Sequence, residues 1–319
     1  MTTSAAGLPS LPYDEFGLFH ENIAEFGLRA DPHPAVRRES VALADGRTVS
    51  VLVWGDAEPQ LVLVHGGAQN AHTWDTVALD LGVPLIAVDL PGHGHSDWRE
   101  DGAYTPTNLA DDVAVAVRAL APQAHAVVGM SLGGMTSLEL THRHPALVRR
   151  LVLVDITPGV NQHKAKAVLD FVNGPQSFAS FDDLLARTME HNPTRSESSL
   201  RRGILHNAHP TAAGDWEWNY DRRSHARSRD ADTDSGPVDS GPVDAAANAF
   251  SPLWDHLGEL TCPITLVRGS LSPVVDDADV AESLRRQPTL AVHVVDGAGH
   301  SVQGDRPVEL AAIIRETVL

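Results

Sequence analysis

The 319-residue sequence holds a single cysteine, Cys262. An internal disulfide is thereby excluded, oxidative folding is not required, and a reducing compartment, the cytoplasm, is the expected location. Lysine is nearly as scarce: Lys164 and Lys166 are the only two, and Lys plus Arg total 24 against 42 Asp plus Glu, a formal net charge of -18. A surplus of that sign argues against nucleic acid, whose phosphates need clustered cations, and against an anionic membrane surface. No run approaches the roughly 18 uninterrupted apolar residues of a membrane helix. The opening MTTSAAGLPSLPYDEF carries neither the basic flank nor the apolar stretch of an export signal, so export is not expected. What is present is ordinary for a globular protein, with 42% apolar and 21% charged residues.

Residues 1–37 read as a proline-punctuated N-terminal extension with a short helix expected within Tyr13–Gly27, where Phe16, Phe19, Ile23 and Phe26 fall at helical spacing. From Arg38 the pattern becomes β-prone. ESVALADGRTVSVLVWG is two runs around Asp45-Gly46, a strong hairpin turn signal. Four apolar runs follow, QLVLVHGG, PLIAVDLPGHG, HAVVGMSLGG and RLVLVDITPG, with helical candidates between them at Thr107–Leu120 and Met135–His144. PITLVRGS and AVHVVDGAGH repeat the pattern near the C-terminus. Strand alternating with helix predicts an α/β fold, a mostly parallel sheet with helices on both faces, and places chemistry at the carboxyl ends of the strands. The core is assigned to 38–159 and 253–319, and the interruption at 160–252 to an inserted helical cap. Within the cap, helices are expected at Lys164–Val172, Phe181–Glu190 and Glu197–His206, and a flexible Asp/Gly/Pro-rich loop near 230–246, where DSGPV occurs twice in tandem.

One stretch carries the chemistry. In VVGMSLGG, Gly129-Met130-Ser131-Leu132-Gly133 has the nucleophile-elbow pattern and lies between a buried strand and a helical run, where such a motif must lie. The turn forces the serine into a strained backbone, and its neighbours two residues away on either side must lack side chains. The hydroxyl then stands at a helix N-terminus, where N–H groups favour developing negative charge.

An activated serine needs a base, and His300, one of seventeen histidines, lies after the last expected strand in VVDGAGHS. A carboxylate must orient the imidazole. Asp155 ends the strand RLVLVD beside the nucleophile's strand, with helix or turn capping as its competing role, and Asp276 and Asp277 follow PITLVRGSLSPVV, where helix capping is the better-fitting role. Backbone N–H groups of Gly67 or Ala68 in HGGAQN, together with that of Leu132, are the oxyanion candidates, and His65 reads as a structural residue tying loops together. Asp89, His93 and His95 in DLPGHGHS lack a further ligand pair at metal-site spacing, so no metal is expected from them.

HGG, DLPGHGHS, GMSLGG and GAGHS stand in the order and at the separations of the α/β-hydrolase fold superfamily, which the chain resembles from about Arg38 to Leu319. The resemblance implies Ser131 as nucleophile, His300 as base and Gly67 or Ala68 with Leu132 as oxyanion donors, with no cofactor. There is one departure. Members commonly carry the acid in Gly-x-x-Asp after the penultimate strand, and here that motif reads Gly269-Ser270-Leu271-Ser272. Other members carry it after the strand that follows the nucleophile helix, which is the place of Asp155, so the resemblance implies Asp155 as the acid, with Asp276 as the fallback.

A serine at the elbow, where haloalkane dehalogenases and soluble epoxide hydrolases have aspartate, implies acyl transfer on a small-molecule ester, lactone or thioester. Met130 and Trp74, with Trp216, Trp218 and Tyr220 of the cap, are the candidate pocket residues, although these aromatics equally suit holding the cap to the core. Carbon–carbon bond hydrolysis of the meta-cleavage-product type, a non-hydrolytic lyase or oxygenase, and a ligand receptor on the same fold are the alternatives.

Overall fold

A computed structural model describes residues 13–29, 34–222 and 250–319. The loop expected near 230–246 lies outside the described residues. Helix α1 (Phe19–Phe26) ends at Gly27, whose φ of 63° suits glycine, and it buries Phe19 against Trp54 while Phe16 and Ile23 cover the same core partly.

Strands β1 (Val36–Ala42) and β2 (Thr48–Trp54) form the expected hairpin, with Gly46 at φ 89° in the connection. The next strands are β3 (Leu61–Val64), β4 (Leu85–Val88), β5 (Ala126–Met130) and β6 (Leu151–Val154). All four are buried throughout, as their unbroken apolar runs require of strands covered on both faces. Helices α2 (Asp75–Leu81), α3 (Pro106–Leu120) and α4 (Leu132–Arg143) connect them. Thr105 caps α3 by accepting from Asn108 N–H, with Pro106 in the first turn.

The insertion follows β6. It comprises α5 (Lys166–Val172), β7 (Ser177–Phe178), α6 (Phe181–His191), α7 (Glu197–Asn207), β8 (Ala208–Pro210) and β9 (Trp216–Trp218). Ser180 and Ser196 cap α6 and α7. The three short strands form a separate antiparallel sheet in the order β7-β9-β8, so the cap is helical with a small sheet added. The chain returns through α8 (Ser251–Glu259), β10 (Ile264–Gly269), α9 (Asp277–Arg286), β11 (Ala291–Val295), α10 (Val302–Asp305) and α11 (Pro307–Val318).

The main sheet has eight strands in the order β1-β2-β4-β3-β5-β6-β10-β11, and β2 is the one strand that runs against the others. Separate apolar cores fill its two faces, one around Val64, Val88, Leu109 and Leu138, the other around Trp54, Leu63, Val128 and Ile314. With β3, β5, β6 and β10 side by side and parallel, their carboxyl ends open at one edge. Among the described residues, no helix is long and apolar enough to cross a membrane.

Candidate active site

Three non-glycine residues among the described ones have positive φ: Ala68 (58°), Ser131 (51°) and Asp155 (51°). Each follows or ends a strand of that edge, so left-handed backbone outside glycine is concentrated in one place. At Ser131 (ψ -119°) the chain turns from β5 into α4. The flanking glycines are obligatory. A Cβ on Gly129 would stand 2.4 Å from the Gly133 carbonyl oxygen, and one on Gly133 would stand 2.3 Å from the carbonyl oxygens of Val64 and His65.

Ser131 Oγ lies 3.0 Å from His300 Nε2, and His300 Nδ1 lies 2.7 Å from Asp155 Oδ2. Ser131 and Asp155 come from adjacent strands, with the Ser131 N–H donating to the Val154 carbonyl and the Asp155 N–H to Val267. His300 arrives on the loop between β11 and α10. Asp155 is fully buried and its carboxylate has further donors: Gly269 N–H reaches Oδ1 at 2.9 Å, and the Ser272 hydroxyl donates to Oδ2.

The fallback acid is elsewhere. Asp276 caps α9 in a reciprocal arrangement with Asp279, and its other oxygen pairs with Lys164 at 2.9 Å. Burial is outweighed there by the Lys164 hydrogen bond, so its carboxyl sits below the usual range. Ser272, the serine at the last position of Gly269-Ser270-Leu271-Ser272, was given no role from the sequence; its hydroxyl points at Asp155.

Leu132 opens α4, so its N–H has no acceptor within the helix. Gly67 faces it, and Ala68 is held in its left-handed conformation by Asn207 of α7, whose side-chain amide donates to the Ala68 carbonyl at 2.8 Å. Gln69 ties the same loop to the histidine loop, accepting from Gly66 N–H at 3.1 Å and donating to Ser301 Oγ at 3.4 Å. His65 is buried, accepts from Leu90 N–H at 2.9 Å and thereby joins the ends of β3 and β4, and burial pushes its pKa down. Asp89 is saturated by Arg38 and the N–H groups of Ala71 and His95, and His93 packs edge-on to His65.

Ser131 and His300 open into a cavity of about 230 Å³ beneath the cap, walled by Met130, Val168, Phe171, Leu271 and Val274. Of the five proposed pocket residues only Met130 lines it. Trp74 is fully buried in the core, Trp216 packs edge-on to Phe181 inside the cap, and Tyr220 and Trp218 border a groove on its far side. Trp218 also borders a second cavity of about 120 Å³, which shares Ala68, Gln69, Phe171 and Asn192 with the first. The cap aromatics therefore mainly serve cohesion of the cap, and the wall of the catalytic cavity comes from Phe171 on α5, which sequence reasoning did not single out.

The family described as the alpha/beta hydrolase fold matches residues 59–307. Esterase Rv0045c of Mycobacterium tuberculosis is 42% identical over 309 residues, 95% of this chain and 95% of that protein. Two structures of that esterase, one of them described together with its inhibition by transition metals, match with TM-scores of 0.79 and 0.77, each covering 96% of this chain and 98% of that one. The 2-(acetamidomethylene)succinate hydrolase of Mesorhizobium japonicum is 31% identical over 262 residues, 80% of this chain and 86% of that protein.

Proposed function

Because the chain belongs to the α/β-hydrolase fold family, we propose that it hydrolyses small carboxylic esters through an acyl-enzyme on Ser131. The observation that carries this reading is the unbroken hydrogen-bond chain Ser131–His300–Asp155, at 3.0 and 2.7 Å, opening into a cavity beneath the cap. The protein is a serine hydrolase and a carboxylic ester hydrolase. The geometry supports the following roles for individual residues. His300 Nε2 accepts the Ser131 proton as Oγ attacks the ester carbonyl. The tetrahedral oxyanion receives the N–H of Leu132 and that of Gly67 or Ala68. His300 then protonates the departing alcohol, and a water activated by the same ring releases the acid. Asp155 fixes the tautomer with Nδ1 protonated and stabilises the imidazolium.

The cavity, about 230 Å³ with a mainly apolar wall, favours a short uncharged acyl group. Lactones and thioesters of similar size react by the same steps. A single cysteine and the absence of a membrane-crossing helix among the described residues are compatible with the cytoplasm, which we infer as the location.

A fluorophosphonate probe tests the reading. The native protein is expected to gain one adduct, mapped to Ser131, and to hydrolyse p-nitrophenyl esters of short acids. Ser131→Ala should gain no adduct and lose turnover by about 10⁴-fold or more. Labelling that persists in Ser131→Ala would overturn the assignment.

A further inference from the structure

Beside the oxyanion loop, on the side away from Ser131, three buried side chains converge from core and cap. His72 lies in the turn leading into α2, Asp75 is the first residue of that helix, and His206 belongs to the last turn of α7. Asp75 Oδ2 lies 2.9 Å from His72 Nδ1 and 3.7 Å from His206 Nε2, and the three donor atoms all lie within 4.8 Å of one another. A tetrahedral divalent ion with bonds near 2.1 Å needs donor separations of about 3.4 Å. The observed spacings bracket that value, and the set closes once the two imidazoles rotate out of their parallel stack. We propose that His72, Asp75 and His206 form a binding site for a borderline divalent cation of the Zn²⁺ or Co²⁺ type, clamping cap to core.

Two features point to a ligand here rather than to a simple ion pair. Asp75 Oδ1 and His206 Nε2 are buried without a hydrogen-bond partner among the described residues, an expensive state for polar atoms. Each histidine also has its remote nitrogen oriented by a further group, as metal-binding histidines do: His72 Nε2 contacts the Glu15 carboxylate at 3.1 Å, and His206 Nδ1 contacts the Tyr13 hydroxyl at 2.8 Å. The two imidazoles lie face to face, 3.8 Å apart and 7° from parallel, so binding requires them to swing out of the stack until both in-plane lone pairs point at the ion. The cluster borders the cavity of about 120 Å³, which leaves room for a water as fourth ligand. The nearby cations have carboxylates of their own: Arg38 pairs with Glu15 and Asp89, Arg202 with Glu25. Coordination replaces the proton shared by His72 and Asp75.

The sequence concealed this set because His206 is separated from the other two by the whole core-to-cap excursion. Its placement bears on the active site. The Asn70 side-chain amide donates to the His206 carbonyl at 2.8 Å, and the next residue, Asn207, holds the Ala68 carbonyl.

Co²⁺ titration of the full-length, tag-free protein tests the site. The expected result is intense visible absorption of tetrahedral type, saturating at one equivalent, with a raised melting temperature. Both effects should disappear in His206→Gln, which removes a neutral ligand and no ion pair. They should also disappear in Asp75→Asn where that variant melts cooperatively. Failure to bind stoichiometrically, or a spectrum that survives His206→Gln, would overturn the proposal. The readout is independent of ester hydrolysis, so it stands apart from the fate of the acyl-enzyme reading.

Discussion

Asp155 takes hydrogen bonds from His300, Ser272 and Gly269 N–H in a fully buried position, which only a group that accepts at both oxygens satisfies completely. Asp155→Asn introduces an N–H₂ that must face one of these donors and favours the wrong imidazole tautomer. We expect kcat to fall by about 10³–10⁴-fold with cooperative melting retained; near-normal turnover would remove Asp155 from the mechanism. Ser272→Ala deletes one donor of three, and kcat should fall by about 10-fold with KM little changed. An equal loss in both parameters would mean that the hydroxyl touches substrate instead. That Ser131 and His300 would meet was legible from local pattern, because an elbow needs glycine at fixed offsets and the histidine loop follows a strand. The choice between Asp155 and Asp276 was not fixed locally, since each follows a strand and only the packed sheet decides which carboxylate meets the imidazole.

At the scale of elements, the elbow is the least tolerant. A methyl group on Gly133 meets two backbone carbonyl oxygens that belong to β3 and its extension, and neither can yield without breaking the sheet. Gly133→Ala should lower the melting temperature sharply or prevent folding, whereas alanine at the open-space Gly203 in α7 should be neutral or mildly stabilising. Comparable melting of the two variants would contradict the packing. Helix α1 is tied to α7 by Glu25, which contacts Ser196 and Arg202. Burial works against its ionisation, but these hydrogen bonds outweigh it and lower its pKa from 4.5. A pKa depressed by folding stabilises above the unfolded value and is lost as pH falls through the folded one. Glu25→Gln should therefore cost about 1 kcal/mol at pH 7, discounted for exposure, and the gap from the parent should narrow below about pH 4.5. An unchanged gap in thermal melts at both pH values would exclude this pairing as its source. The core strands and most helices were readable from periodicity; the strands of the cap were not, because β9 pairs with β7 about forty positions back and with β8 six to ten positions back, through only two or three residues each, too short for a periodic signal.

For the whole molecule, the wall of the cavity at Ser131 is a joint product of core and cap, and of the two roles open to the aromatic WEWNY segment the packing one prevails: Trp216 packs on Phe181, Trp218 on Phe171, and Tyr220 stacks on His93. Phe171 borders both cavities. Phe171→Ala should merge them and move the preferred acyl length upward in a series of p-nitrophenyl esters, raising kcat/KM for long acids relative to acetate. An unaltered profile would place the acyl group elsewhere.

The insertion separates the chain into unequal shares of the reaction. Everything before it, including six of the eight main strands, carries Ser131 and Asp155; what returns after it supplies β10, β11 and His300. The two shares meet along the β6–β10 ladder, where Ile264 to Val267 pair with Leu151 to Val154. A polypeptide cut within the insertion would thus yield two fragments, neither competent alone, whose reunion restores turnover, and ester cleavage would become a reporter of whatever brings the fragments together.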